Sequence, residues 1–221
     1  MSGKKQYKSA YERLRHLPPV VHLSELGLDE QYVRSGVRRW RKKGYLAPVG
    51  RKTGVYFNLV ADERAPTLYR EDAALKAMMG GRRSVRPYVT GEAALQVAGC
   101  LRGATHLIDV TVLANASIGV SEEEMGDLRI HPRPDAWYDW VEKVTRRRRQ
   151  LAIYGLSGAP VLPPDLVLAD QQVFQDYPID HSRVVKVASS RVDRARRLLE
   201  ESLGIVPMET MEQRYGGGPE I

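Results

Sequence analysis

Gln31, Ser35, Arg38 and Lys42 recur at i, i+4, i+7 and i+11, the spacing that aligns side chains on one face of an α-helix. An amide, a hydroxyl, a guanidinium and an ammonium on one face are groups that reach base edges and phosphates in a major groove. Arg34, Arg39 and Arg41 flank the stripe, while Val33, Val37 and Trp40 fall on the opposite side. Such a helix has an apolar back to anchor it and a cationic, hydrogen-bonding front. The same charge run also fits a solvated basic helix, so its surroundings decide between the two.

Other chemistry is sparse. His16, His22, His106, His131 and His181 are scattered, and none pairs with a cysteine at metal-ligand spacing. They read as surface or structurally satisfied histidines. Cys100 is the only cysteine, which excludes a disulfide framework and a thiolate metal cluster. Gly50-Arg51-Lys52-Thr53 lacks the glycine that precedes the lysine of a phosphate loop. Gly155–Ala159 lacks the closing glycine of a nucleophile elbow. Asp109 sits in a strand without a following acidic-x-Lys pair to share a metal. Asp170 interrupts an otherwise apolar helix, as a buried carboxylate or as a cap or hydrogen-bond partner of a nearby loop. No catalytic constellation and no cofactor site follows, so the expectation is a protein that is not an enzyme.

The elements that must position the basic face can be read in order. Tyr7, Ala10, Tyr11, Leu14 and Leu17 keep helical spacing, predicting a helix over 5–17 that ends at Pro18-Pro19. Val20-Val21 predicts a short strand, and Leu23–Leu26 a brief helix stopped at Gly27. The basic helix then starts at Asp29, an N-cap type, with Leu28 and Val33 at the spacing of a hydrophobic staple. Gly44 stops it. Tyr45-Leu46 and Val55–Phe57 predict a hairpin whose glycine-bounded tip carries Arg51 and Lys52. Helix, strand, helix, turn, helix and hairpin is the order of a winged helix-turn-helix, with the basic helix in the major groove and the wing along the backbone or minor groove.

Residues 61–68, ADERAPTL, read as a linker. Beyond it the expected elements are helices over 71–79 and 91–98 (the latter capped by Thr90), a strong strand over 107–114 with a shorter partner at 128–131, and a helix over 135–147. A strand over 151–154 and helices over 164–174, 180–187 and 191–203 follow, then a loose glycine-rich tail from 205 to 221. The fold class is therefore α+β: a winged helix-turn-helix over 1–60, a linker, and a larger mixed α/β domain over 69–204.

Charge follows the same division. Residues 1–60 hold 13 Lys/Arg against 4 Asp/Glu, and the rest of the chain holds 21 against 23. Basicity concentrated in one small module is the footprint of nucleic-acid binding. Arg146, Arg147, Arg148 and Arg149 form a second candidate DNA contact in the otherwise slightly acidic larger domain; a solvated helix end is the alternative. No apolar run approaches the length of a membrane span, and no secretory signal opens the chain. The expected location is the cytoplasm.

Val37–Leu46 (VRRWRKKGYL), ending in Gly54-Val55-Tyr56, resembles the winged helix of AbiE-type (abortive infection) antitoxins. Tyr88–Leu95 (YVTGEAAL) and Pro164–Asp170 (PDLVLAD) are similar to two stretches of that family's second domain, in the same order. Pro-Asp-Leu after the first proline departs from the family pattern. The resemblance implies an antitoxin of a toxin–antitoxin operon that represses its own promoter at inverted repeats. It also implies a nucleotidyltransferase-type toxin as partner, countered functionally rather than in a stable complex. The residues alone equally allow a stand-alone transcription factor whose larger domain dimerises or binds a ligand.

Overall fold

The computed structural model describes residues 9–28, 30–80, 85–114, 116, 118–146 and 153–205. The fold is α+β, with nine α-helices among the described residues and short strands gathered into small sheets. No described helix is long and apolar enough to cross a membrane. The chain forms two compact units. The first takes Met1–Pro87, Asn115–Arg129 and Ile153–Ala159; the second takes Tyr88–Ala114, Ile130–Ala152 and Pro160–Ile221.

In the first unit, α1 (Ala10–Arg15) begins at a capping box in which Ser9 and Glu12 satisfy each other's backbone amides. Residues 1–8, where the first helix is expected to start, lie outside the described part of the chain. Strand β1 (Val20–His22) leads into a 3-10 turn, Leu23–Leu26, ended by Gly27 at φ 60. Then come α2 (Glu30–Lys42) and the hairpin β2 (Leu46–Val49) and β3 (Val55–Asn58). The three strands form an antiparallel sheet in the order β1-β3-β2, with Val21 opposite Tyr56 and Val49 opposite Val55.

Strand alternation sends successive side chains to opposite faces, and both faces of this sheet are covered. Val21 and Leu46 join Leu14 of α1 and Val37 and Trp40 of α2 in one core. Val20, Val49 and Val55 face the other way and pack on Ala73 and Ala77 of α4 (Arg70–Gly80). The expected linker therefore differs from what is found. Ala65–Leu68 forms a one-turn helix, α3, with Ala65 fully buried, and the first unit continues through α4. Its polar sequence hid the helix because α3 is held by burial of one alanine rather than by periodicity.

The second unit is built on the sheet β4-β5-β6 (Tyr88–Thr90, Ile108–Leu113, Leu128–Arg133). Between β5 and β6 the chain passes through a short helix of the first unit, α6 (Glu122–Met125), not foreseen in the sequence. Helices α5 (Gly91–Val97), α7 (Asp135–Thr145), α8 (Pro164–Phe174) and α9 (Ser189–Ser202) complete the second unit. Thr90 stands at the N-cap of α5 but makes no side-chain cap bond; its hydroxyl lies 3.0 Å from that of Tyr177 instead. The helix expected over 180–187 is reduced to one 3-10 turn, His181–Arg183, capped by Asp180. Of the strand expected over 151–154, β7 (Ile153–Tyr154) is described and pairs with β8 (Ala159–Pro160). Residues 151–152 and the tail 206–221 lie outside the described residues.

Asp170 is the hub of this unit. It is fully buried and accepts from Arg133 through both oxygens, at 2.9 and 2.8 Å, from the Trp137 indole at 2.6 Å and from the Tyr177 hydroxyl at 2.7 Å. Arg133 also binds Asp176, which in turn meets His131, and His131 lies 2.8 Å from Asp109. Burial pushes the Tyr177 hydroxyl well above its usual range, reinforced by the Asp170 charge, so it stays protonated and donates. Burial opposes the Arg133 charge, but the bonds to Asp176 and Asp170 outweigh it. A network satisfied this fully is structural. Removing one partner would leave an uncompensated buried charge, at about 3–5 kcal/mol.

Candidate nucleic-acid interface

Helix α2 is fixed from three directions. Val37 and Trp40 are 5% and 6% exposed, and they seat the helix on the core beneath the sheet. Leu28 and Val33 pack on the same core, consistent with the expected staple, while Asp29 falls outside the described residues. Arg13 of α1 donates to the carbonyls of Gly27 at 2.9 Å and Leu26 at 3.4 Å, tying down the turn that launches α2. Gly36 lies against Leu28 so closely that a β-carbon would sit 3.0 Å from its methyl group. The backbone bearing the basic face is thus rigidly placed.

On the opposite side, Gln31, Arg34, Ser35, Arg38, Arg39, Arg41 and Lys42 are all exposed. Among the described residues, the side chains of Arg34, Arg38, Arg39, Arg41 and Lys42 make no hydrogen bond or ion pair. Five solvated cations on one helix face form a local positive field. Tyr32, 57% exposed, stands on the flank of this face; the sequence gives no sign of it because it lies off the polar stripe.

The hairpin tip is held more tightly than the sequence implies. Arg51 and Lys52 are exposed, with Lys52 in the left-handed region at φ 58. The Thr53 hydroxyl donates to the Val49 carbonyl, closing the turn from within. The Gly50 amide donates to Glu124 of α6 at 2.8 Å, and the Arg51 amide donates to the Gly119 carbonyl at 2.9 Å. Gly50 has φ 63 and faces the Gly119 carbonyl so closely that no side chain fits there. Glu124 is held below the usual carboxyl range, chiefly by the Ser121 amide; partial desolvation opposes this and the Gly50 amide adds to it. The tip's two cations therefore share their surroundings with the carboxylates of α6, whose Glu122 and Glu123 are exposed. This clamp links residues 74 positions apart, and no periodicity could have announced it.

Of the second candidate DNA contact, Arg146 is exposed at the C-cap of α7, and Arg147, Arg148 and Arg149 lie outside the described residues. Arg146 lines a cleft between α7 and α9 with Lys143, Arg191 and Arg194, but also with Asp139, Glu142 and Asp165. The charge there is mixed. His131 and Asp109, separate in the sequence, meet in the buried network rather than in an open site.

No family model and no curated protein matches this chain. Among solved structures, the RV2827C protein from Mycobacterium tuberculosis is similar in fold, with a TM-score of 0.50 and 15% sequence identity, covering 96% of this chain and 81% of that one.

Proposed function

We propose that this protein is a DNA-binding transcriptional repressor whose first unit is a winged helix-turn-helix, with α2 as recognition helix and the β2–β3 hairpin as wing. The observation that carries this is the face of α2: Gln31, Ser35 and five cations that bond to nothing among the described residues, exposed on a helix anchored from behind by Val37 and Trp40. Cations without internal partners are available to displace counterions from a phosphate backbone. Leu46 of β2 shares a core with Val37 and Trp40 of α2, which sets the hairpin beside that helix and supports the same assignment. In this assignment Gln31, Ser35 and Arg38 read bases, while Arg34, Arg39, Arg41, Lys42, Arg51 and Lys52 hold phosphates. Inverted repeats then serve two copies of the chain.

The finer role, antitoxin to a nucleotidyltransferase-type toxin in the cytoplasm, is supported by the sequence resemblance of Val37–Leu46, Tyr88–Leu95 and Pro164–Asp170. The protein would act without catalysis of its own: the second unit's buried acids and bases are tied to one another. A stand-alone transcription factor is the second reading, favoured by the open α7–α9 cleft as a ligand site. Footprinting on the promoter of its own operon tests the first step. Protection of an inverted repeat is expected from the wild type and not from a variant with Arg38 and Lys42 replaced by alanine. Equal protection by both would remove α2 from the interface. Growth rescue against the neighbouring toxin, expressed from an unrelated promoter, tests the second step.

A further inference from the structure

Ser35 is exposed in the middle of the front of α2, yet its one hydrogen-bond donor is already used within the helix. Its Oγ lies 3.1 Å from the backbone carbonyl of Tyr32, one turn back. A carbonyl only accepts, so in this geometry the single hydroxyl proton points to Tyr32. What remains for a partner outside the helix is a pair of lone pairs.

We propose that Ser35 is an acceptor-only reader of an exocyclic amino group in the major groove, N6 of adenine or N4 of cytosine. It would thereby be a specificity-determining residue of α2. The assignment rests on the reading of α2 as a DNA-recognition helix and adds the base chemistry of one position to it. In the major groove adenine and cytosine present an amino donor, whereas guanine and thymine present keto oxygens that accept. A side chain that only accepts sorts the first pair from the second. No other member of the stripe does this. Arg38, Arg39, Arg41 and Lys42 are donors throughout, which suits guanine O6 and N7, thymine O4 and phosphate. The Gln31 amide both donates and accepts, which suits the N6 and N7 edge of adenine. Ser35 supplies the opposite polarity between Gln31 and Arg38, one helical turn from each.

The test enriches binding sites from a random double-stranded DNA library, using the full chain as wild type and as Ser35→Ala. Alanine is the best helix former and the site is exposed, so the variant keeps its fold; circular dichroism checks this. The wild type is expected to select a site in which one position prefers adenine or cytosine by about 5-fold, the size of one hydrogen bond. Ser35→Ala should flatten that position and no other. An analogue of the selected base lacking its exocyclic amino group, placed there, should weaken the wild type by the same factor and leave Ser35→Ala unaffected. If the flattened position prefers guanine or thymine, Ser35 donates and the assignment is wrong. It is equally wrong if Ser35→Ala leaves every preference intact. If the wild type enriches no site at all, the DNA-recognition reading of α2 fails first, and the assignment falls with it.

Discussion

Arg38 carries a fixed positive charge at the centre of the exposed face of α2, and among the described residues nothing holds its guanidinium. Trp40, two positions on, is 6% exposed and belongs to the core beneath. The two therefore fail differently when truncated. Arg38→Ala should cost about 1–3 kcal/mol in binding to the selected DNA site, if the guanidinium pairs with one guanine, with the unfolding midpoint unmoved. Trp40→Ala should cost roughly 3–5 kcal/mol of stability, and DNA binding would be lost only because the unit unfolds. Titration calorimetry beside urea unfolding separates these outcomes. Glu124 gives a third residue-level expectation. Its folded pKa is depressed, by the Ser121 amide first and by the Gly50 amide as well. A depressed carboxyl contributes stability above its unfolded value, about 4.3, and loses it as pH falls through the folded value. Glu124→Gln should therefore lower the unfolding midpoint at pH 7, and the gap to wild type should close as the pH falls below about 4. A gap of the same size at pH 7 and at about pH 3, below the unfolded value, would mean the glutamine is disturbing packing instead of removing a charge-assisted bond.

At the scale of elements, the hairpin tip is a clamped turn rather than a free arm, because Gly50 and Arg51 are bonded to Glu124 and Gly119. Arg51 and Lys52 follow the Gly50 amide that Glu124 holds, so with carboxylates this near their share of any phosphate binding should be smaller than that of α2. Replacing both by alanine should reduce the salt slope of DNA binding by no more than roughly 0.9 for each phosphate that the tip neutralises. Replacing Glu122 and Glu123 by glutamine should strengthen non-specific binding. Affinity that ignores both pairs of changes would show that the tip points away from DNA. What could be read in the sequence follows from locality. The helix α2 was legible because Val33, Val37 and Trp40 declare a 3.6-residue period and Gly44 a stop. The hairpin and β1 were legible from short β-prone runs between glycine and proline. The exposed face of α2 was legible as the complement of its buried one. What stayed hidden depends on tertiary pairing: the α6 clamp, the one-turn α3, and the Asp170 network that joins β6, α7, α8 and the loop after it. Asp170 stood out in the sequence only as an acid among apolar residues; Arg133, 37 positions away, gives it its role.

For the whole molecule, the division of the chain decides which experiments are meaningful. The first unit does not end at residue 60 as expected: α4 covers the second face of its sheet, and segments from 115–129 and 153–159 belong to it. A fragment ending near residue 65 would expose Val20, Val49 and Val55, which are 0%, 2% and 1% accessible in the intact unit. Burying each is worth about 1.5–3 kcal/mol, a sum comparable with the whole stability of a small domain, about 5–15 kcal/mol. Such a fragment is expected to be unfolded by circular dichroism, and its silence on DNA would say nothing about the second unit. Separation of the two proposed roles must therefore be sought in full-length variants. Replacing Arg38 and Lys42 by alanine touches only exposed side chains that bond to nothing among the described residues, and leaves both cores intact. If the second unit counters a toxin, this variant should lose repression of a promoter fusion yet still restore growth when the toxin is expressed from an unrelated promoter. Asp170→Asn is its counterpart: it breaks the paired charge of Arg133 in the second unit and should abolish rescue, with DNA binding weakened less. A folded Arg38 and Lys42 variant that no longer rescues would mean that relief from the toxin comes through repression alone, and the stand-alone transcription factor would then be the better account of this chain.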